Sequence, residues 1–350
     1  MQPNAETAAQ PNPIETEAQL ETWLSEPTPE VIETLARLPG DIVLLGVAGK
    51  MGPTLARMAK RASDAAGVRR RVIGVARFSD CGQAELEAHG VETVRCDLLN
   101  EDDVARLPDA ANVIFMTGRK FGSTGDEPLT WAMNAYLPAV ACRKYRRSRI
   151  VAFSTGNVYG LTPPARGGSR ESDALQPAGE YAMSSVGRER MFAYFSRSLN
   201  IPLAIVRLNY ACELRYGVLV DLAQRVARGE PIELSMGHFN VIWQGDANAM
   251  ALRALDRVST PPWIVNVTGP ETLSVREVCR RFGELLQKPV RLAGEESAAA
   301  LLNNASIGLA QLGPPRVSAD ELIERVADWV ARGGRSLGKP THFESRDGKF

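Results

Sequence analysis

Twenty residues, Asp41 to Lys60, constrain this chain more than any other stretch. They open with an apolar run, Ile42 to Leu45, short enough to be a buried strand. Gly46, Gly49 and Gly52 follow at GxxGxxG spacing, and Pro53 then stands where proline opens a helix. Leu55, Met58 and Ala59 recur at helical spacing. A glycine turn between strand and helix serves either as a tight connection or as a close-approach site for a pyrophosphate. The strand before it and the helix after it favour the second use. The missing Cβ atoms let backbone approach the phosphates, and the helix N-terminus offers unpaired N–H groups and a partial positive charge. The reading assigns Gly46, Gly49, Lys50, Met51 and Gly52 to a dinucleotide.

Beyond the turn, strands and helices alternate. Strands are expected at 71–76, 91–95, 112–116, 149–153 and 203–207. Helices are expected at 84–89, 101–107, 129–145 and 181–198, with a Pro- and Gly-rich loop at 161–179. Such alternation predicts βαβ units, an α/β fold with a Rossmann-type doubly wound parallel sheet. The alternation loosens after residue 210. Helices are expected near 217–228, 246–257, 274–287, 296–303 and 318–329, with short strands near Ile232 and Val241 and one at 263–267. The expected organisation is an N-terminal tail with short helices covering a sheet edge (1–40), a dinucleotide-binding domain (41–210), a smaller substrate lobe with returning Rossmann elements (211–330) and a mobile polar tail (331–350).

Composition narrows the partners. The formal net charge is zero across 350 residues, so no bulk field favours nucleic acid or an anionic membrane. The basic run Arg143 to Arg149 reads as a solvated helix end. Five scattered cysteines and three dispersed histidines suggest neither a disulfide framework nor a metal centre. No apolar run approaches the ~20 residues of a membrane span, and the polar, acidic N-terminus is unlike a signal peptide; the cytoplasm is the expected compartment. At the end of the second strand, where a carboxylate would hold the ribose hydroxyl of NAD, the chain has Arg77. Arg77 is either a surface arginine or a partner for a 2′-phosphate, which tips the cofactor reading from NAD toward NADP.

Taken together, the motifs resemble the extended short-chain dehydrogenase/reductase superfamily in its NAD-dependent epimerase/dehydratase branch, from about Asp41 to Glu277. GVAGKMG is similar to the family's glycine motif, and Asp97-Leu98 to its adenine-contacting pair. FSTGNVYG, Phe153 to Gly160, resembles the SSxxVYG stretch and puts Thr155 at the catalytic Ser/Thr position. Tyr181 stands at the YxxxK tyrosine, and Asp246, Asn266 and Gly269 fall in later family-like stretches. The resemblance implies proton transfer by Tyr181 at a substrate hydroxyl that Thr155 also binds, coupled to hydride transfer at the nicotinamide. It also implies a homodimer formed through the helices at 129–145 and 181–198. Met116 to Lys120 resembles the FAGxK stretch of UDP-galactose 4-epimerases, which places Thr117, Gly118 and Lys120 at the cofactor; a solvated loop lysine is the other reading of Lys120.

Two departures stand out. The lysine position of YxxxK is Ser185, which can hydrogen-bond a ribose but carries no charge to lower a tyrosine pKa of ~10. Lys120 is the nearest replacement charge, while Arg188, seven residues along the helix from Tyr181, is ~10 Å away by rise. On the substrate side, Asn157 is assigned to the substrate, and Arg207-Leu208-Asn209 resembles the RxFN stretch of UDP-galactose 4-epimerases, where the asparagine meets the sugar-nucleotide phosphate. Phe239, however, stands where a nucleotide-phosphate arginine belongs, and is either a substrate contact or a core residue. Arg215 is either a partner for an anionic substrate group or a surface arginine. The expected function is an NAD(P)-dependent epimerase/dehydratase or dehydrogenase acting on a carbohydrate-like sugar or sugar acid. Its rivals are a dinucleotide-binding sensor or scaffold that has lost catalysis, and an NADP reductase of the atypical short-chain type.

Overall fold

A computed structural model describes residues 14–78 and 82–349. Cys81 and most of the expected N-terminal tail lie outside these residues. One seven-stranded sheet organises the molecule. Its first six strands in chain order are β1 (Ile42–Leu45), β2 (Val72–Ala76), β3 (Glu92–Arg95), β4 (Asn112–Phe115), β5 (Arg149–Thr155) and β6 (Leu203–Leu208). Across the sheet the order is Trp263–Val267, β6, β5, β4, β1, β2, β3, and every neighbouring pair is parallel.

The apolar runs follow from burial on both faces. Along β1, Ile42 and Leu44 join one core layer while Val43 and Leu45 join the other, the period-two alternation of a strand. The first layer lies under α2 (Pro29–Arg37), α3 (Gly52–Ala65) and the Gln244–Ala254 helix, the last two also touched by α1 (Glu17–Leu24). The second lies under the Leu137–Lys144 and Gly179–Leu199 helices. The direction of winding reverses between β1 and β4, and the crevice beyond the carboxyl ends of such strands is where open α/β sheets place ligands.

The smaller lobe packs the helices Val218–Arg228, Val275–Leu286 and Ala319–Ala331 together. α1 joins them: Trp23 lies on Trp243 with ring centroids 4.0 Å apart.

Four local expectations need correction. The N-terminal helices do not line a sheet edge, because α2 buries Val31 and Leu35 against the α3 layer; each such burial is worth ~1.5–3 kcal/mol. Residues 296–303 are not helical. There Ala300 and Leu302 carbonyls accept from the N–H groups of Thr162 and Ser169, so tertiary pairing overrides an alanine-rich propensity; the helix comes later, at Ser306–Leu312. The 129–145 helix contains a π-helical segment, Ala132–Tyr136. Pro138, six residues after Ala132, has no N–H to offer the Asn134 carbonyl, which instead accepts from Arg188 Nε at 3.4 Å. The polar stretch after residue 331 is seated on the protein rather than loose: Thr341 and Phe343 are buried, and Phe343 packs near Phe239 with ring centroids 6.1 Å apart.

Candidate active site

The glycine turn sits at the reversal between β1 and β4. Gly46 has φ +89°, and a Cβ there would lie 2.7 Å from Thr117 Oγ1 and 3.0 Å from Thr117 Cα, so the two strand ends meet too closely for any side chain. Gly52 approaches the turn itself, where a Cβ would come 2.0 Å from the Val47 carbonyl oxygen. Gly49 differs: the nearest atom to a Cβ would be the Gly46 carbonyl oxygen at 3.4 Å, leaving open space beyond. The turn is closed by Gly49 N–H to Gly46 O and Gly52 N–H to Gly49 O, each 3.1 Å. α3 then starts without a side-chain acceptor at its N-cap, Met51; Gly52 N–H is used in the turn and Pro53 has none, so no side chain competes with an anion for the Thr54 N–H.

Two cavities flank this turn and share Ala48, Gly49, Met116 and Gly118. The smaller, about 290 Å³, runs past Val75 to Phe78 and past Asp97 and Leu98. Arg77 lines it and is exposed, while the buried Thr117 hydroxyl has no hydrogen-bond partner among the described residues. The larger, about 500 Å³, reaches from Lys50 and Met51 toward Thr155, Asn157, Tyr181 and Asn209 and on to the smaller lobe. A bent, two-ended ligand such as a dinucleotide fits this layout: an adenosine end in the smaller cavity, phosphates over Gly49, and the nicotinamide end in the larger.

Thr155 closes β5 and caps the short Gly156–Val158 turn. Its hydroxyl accepts from Asn157 N–H and donates to Asn157 Oδ1, both at 3.2 Å. Tyr181 stands in the first turn of the Gly179–Leu199 helix and lines the same cavity. Ser185 does not reach it. The Ser185 side chain is fully buried and its hydroxyl donates to the Tyr181 carbonyl at 2.7 Å. Beneath this helix lies a group that the sequence pattern did not single out for a role. Asn134 Oδ1 accepts from Arg119 N–H (2.8 Å) and Arg188 Nη2 (2.6 Å), and its Nδ2 donates to Arg119 O (3.0 Å) and Ser184 Oγ (2.9 Å). Asn134 therefore joins the loop after β4 to the helix that carries Tyr181. The isolated signal in the sequence was Pro138, a proline inside a helical pattern.

Arg188 is closer to the site than its helical rise implied. Its guanidinium turns back to donate to Phe153 O at 2.9 Å and lies under Gly118, where a Cβ would be 2.3 Å from Nη2. Burial pulls its pKa down, with Tyr181 and Glu189 opposing. Lys120 is the other cation: its Nζ donates to Thr341 O at 3.3 Å and sits 5.9 Å from the Tyr181 ring centroid. Burial lowers its pKa to about 8 against the opposing charge of Asp221. The Lys50 side chain leaves the turn toward the lobe, with Nζ 3.3 Å from the Tyr216 centroid and 4.2 Å from that of Phe121.

Two expected substrate contacts stand apart from both cavities. Arg215 is held by Glu213, Glu17 and Glu21, with its Nη2 2.6 Å from Glu21 Oε1; carboxylates brought from α1 saturate it. Phe239 is fully buried in the lobe core.

The NAD dependent epimerase/dehydratase family matches residues 42–237. A search of curated proteins gives no match. Among solved structures, UDP-glucose 4-epimerase of Thermus thermophilus in complex with NAD is similar at 21% identity and a TM-score of 0.68, covering 84% of this chain and 99% of that one. UDP-glucuronic acid 4-epimerase from Bacillus cereus, with UDP-glucuronic acid and NAD, is similar at 17% identity and 0.68 over 83% and 99%. DesIV, a dTDP-glucose 4,6-dehydratase from Streptomyces venezuelae, is similar at 18% identity and 0.69 over 83% and 97%. At these identities the likeness is one of fold.

Proposed function

The chain belongs to the NAD dependent epimerase/dehydratase family, and from that premise we propose that it is an NAD(P)-dependent epimerase, dehydratase or dehydrogenase acting on a sugar or sugar acid. The observation that carries this reading is a single cleft lined by the glycine turn, Thr155 and Tyr181 together. In this reading Gly46, Gly49, Gly52 and Thr117 hold the dinucleotide phosphates, with Arg77, Asp97 and Leu98 at the adenosine end and Met51, Gly118 and Lys120 at the nicotinamide end. The bound nicotinamide supplies hydride chemistry. Thr155 turns its hydroxyl from Asn157 to a substrate hydroxyl, Tyr181 takes or returns that hydroxyl's proton, and Asn157 and Asn209 orient the substrate. Asn209 Nδ2 is buried without a hydrogen-bond partner among the described residues, which suits a substrate oxygen. Lys120 supplies the positive charge that Ser185 cannot.

A nucleotide sugar is the second reading, favoured by the fold neighbours that carry UDP-sugars. Against it, neither Arg215 nor Phe239 offers a cation to nucleotide phosphates. A catalytically silent dinucleotide sensor is the third, favoured by the buried, hydrogen-bonded Ser185.

Titration with NAD and NADP tests the proposal. Both cofactors are expected to bind, NADP modestly tighter, and Arg77→Asp is expected to reverse the order. A wild type that binds NAD tenfold tighter than NADP, ~1.4 kcal/mol, removes the role given to Arg77; one that binds neither removes the function.

The proposal includes a homodimer. The two helical segments invoked above expose Trp131, Tyr136, Met183 and Tyr194, the last at 63%, more apolar surface than a core-facing stripe needs. Light scattering at micromolar concentration is expected to give twice the chain mass, and Tyr194→Glu the single mass. A monomeric wild type counts against it.

A further inference from the structure

The lysines of the larger cleft have no task in the mechanism apart from Lys120. Lys50 lies between Gly49 and Gly52, where a lysine would be expected to reach for the dinucleotide phosphates. Its amine instead extends away from them. It is sandwiched by Tyr216 and Phe121, residues that line the larger cavity and not the smaller one. Lys50 Nζ is buried and has no hydrogen-bond acceptor among the described residues. An ammonium held only by ring faces retains three donors for a ligand.

Two further ammonium groups converge on this place. Lys120 approaches from the loop after β4, and Lys339 from the C-terminal stretch; both line the same cavity. Burial, with the charges of Lys339 and Lys120 adding to it and Asp221 opposing, lowers the Lys50 pKa to about 7. One carboxylate opposes them. Asp221 is buried, and its Oδ2 accepts from the Thr341 N–H (2.8 Å) and hydroxyl (2.6 Å). With Lys50 about half protonated at neutral pH, three amines facing one carboxylate still leave a positive surplus in the half of the cleft farthest from the adenosine end. The cavity, about 500 Å³, is toward the lower end of the ~300–1,000 Å³ usual for ligand sites, and it must also seat the nicotinamide. The remaining room suits a compact ligand.

We propose that Lys50, Lys120 and Lys339 form an anion subsite in the substrate half of the cleft, and that the substrate is a small polyhydroxy compound bearing a carboxylate that these lysines hold while a hydroxyl faces Thr155 and Tyr181. The proposal rests on the functional reading above and narrows it from carbohydrates in general to sugar acids. Ammonium point charges, unlike an arginine fork, impose little geometry on the anion, so the subsite selects charge more than shape.

Calorimetric titration of D-glucuronate, D-glucose and inorganic phosphate, each with and without saturating NAD, tests it. Glucuronate is expected to bind at least tenfold tighter than glucose. Lys50→Met and the exposed Lys339→Met are each expected to weaken glucuronate about tenfold while leaving glucose and NAD within twofold, and Lys50→Arg to restore most of the loss. Near-ultraviolet circular dichroism checks that the variants keep the fold. Equal affinity for glucuronate and glucose, or no glucuronate binding, overturns the proposal. So does a Lys50→Met variant that loses NAD instead, since the lysine would then serve the phosphates. Phosphate binding tighter than glucuronate, with the same lysine dependence, overturns the carboxylate assignment in favour of a phosphorylated substrate. Failure of wild type to bind NAD would fall on the dinucleotide reading alone, because the anion titrations are also made without NAD.

Discussion

Gly49→Val is expected to abolish dinucleotide binding, by at least a hundredfold or ~2.7 kcal/mol, while the protein remains folded. The three glycines of the turn are there for different reasons. Gly46 lies in the left-handed region against Thr117, and Gly52 lies against the Val47 carbonyl; a side chain at either must displace backbone. Gly49 has neither restriction; a Cβ there comes no nearer than 3.4 Å to the Gly46 carbonyl oxygen, and a valine is expected to fill space that both cavities share. Gly52→Ala serves as the contrast, lowering the melting temperature through its clash in the turn. Titration of NAD(P)H with a parallel thermal melt separates the two effects. An unchanged affinity in Gly49→Val would mean that no ligand crosses the turn.

Tyr181→Phe is expected to remove turnover on the true substrate by ~10²–10⁴-fold, the usual worth of a positioned proton-transfer group, with cofactor affinity little changed. The pH profile of the wild type carries the sign. Lys120, lowered to about 8 by burial, is charged below that pH and neutral above it, so the part of the rate that depends on its charge is expected to fall as pH rises through about 8, and Lys120→Met to remove that fall. Full turnover in Tyr181→Phe would make the tyrosine structural, and tight cofactor binding without any turnover would favour the sensor.

The parts of this fold that could be read in the sequence are those whose causes are local. The β1 run, the glycine turn and Pro53 lie within a dozen residues, and burial on both faces makes β1 and β2 runs without a polar side chain. The family-like motifs were also contiguous, which is why Thr155 and Tyr181 could be singled out; both line one cavity. What escaped depends on distant partners. Arg215 reads as an available cation until Glu17 and Glu21 arrive from the other end of the chain. The alanine-rich 296–303 stretch reads as helix until the loop at Thr162 and Ser169 takes its backbone. Asn134 has no meaning alone and gains one from Arg119, Ser184 and Arg188. The polarity of the last twenty residues concealed Thr341 and Phe343, two side chains in a stretch whose average gave no sign of a seat on the protein.

That seat gives the molecule an order of manufacture. Thr341 and Lys120 meet across 221 residues of chain. At ~5–20 residues per second, translation delivers Lys120 about 10–45 seconds before Thr341 exists. The glycine turn and the strands on either side of it are synthesised well before that contact can form. The wall that Lys339 and Thr341 add arrives at the end. Until then the cleft stays open on its lobe side, and a half-made protein has no closed chamber in which the proposed chemistry could run.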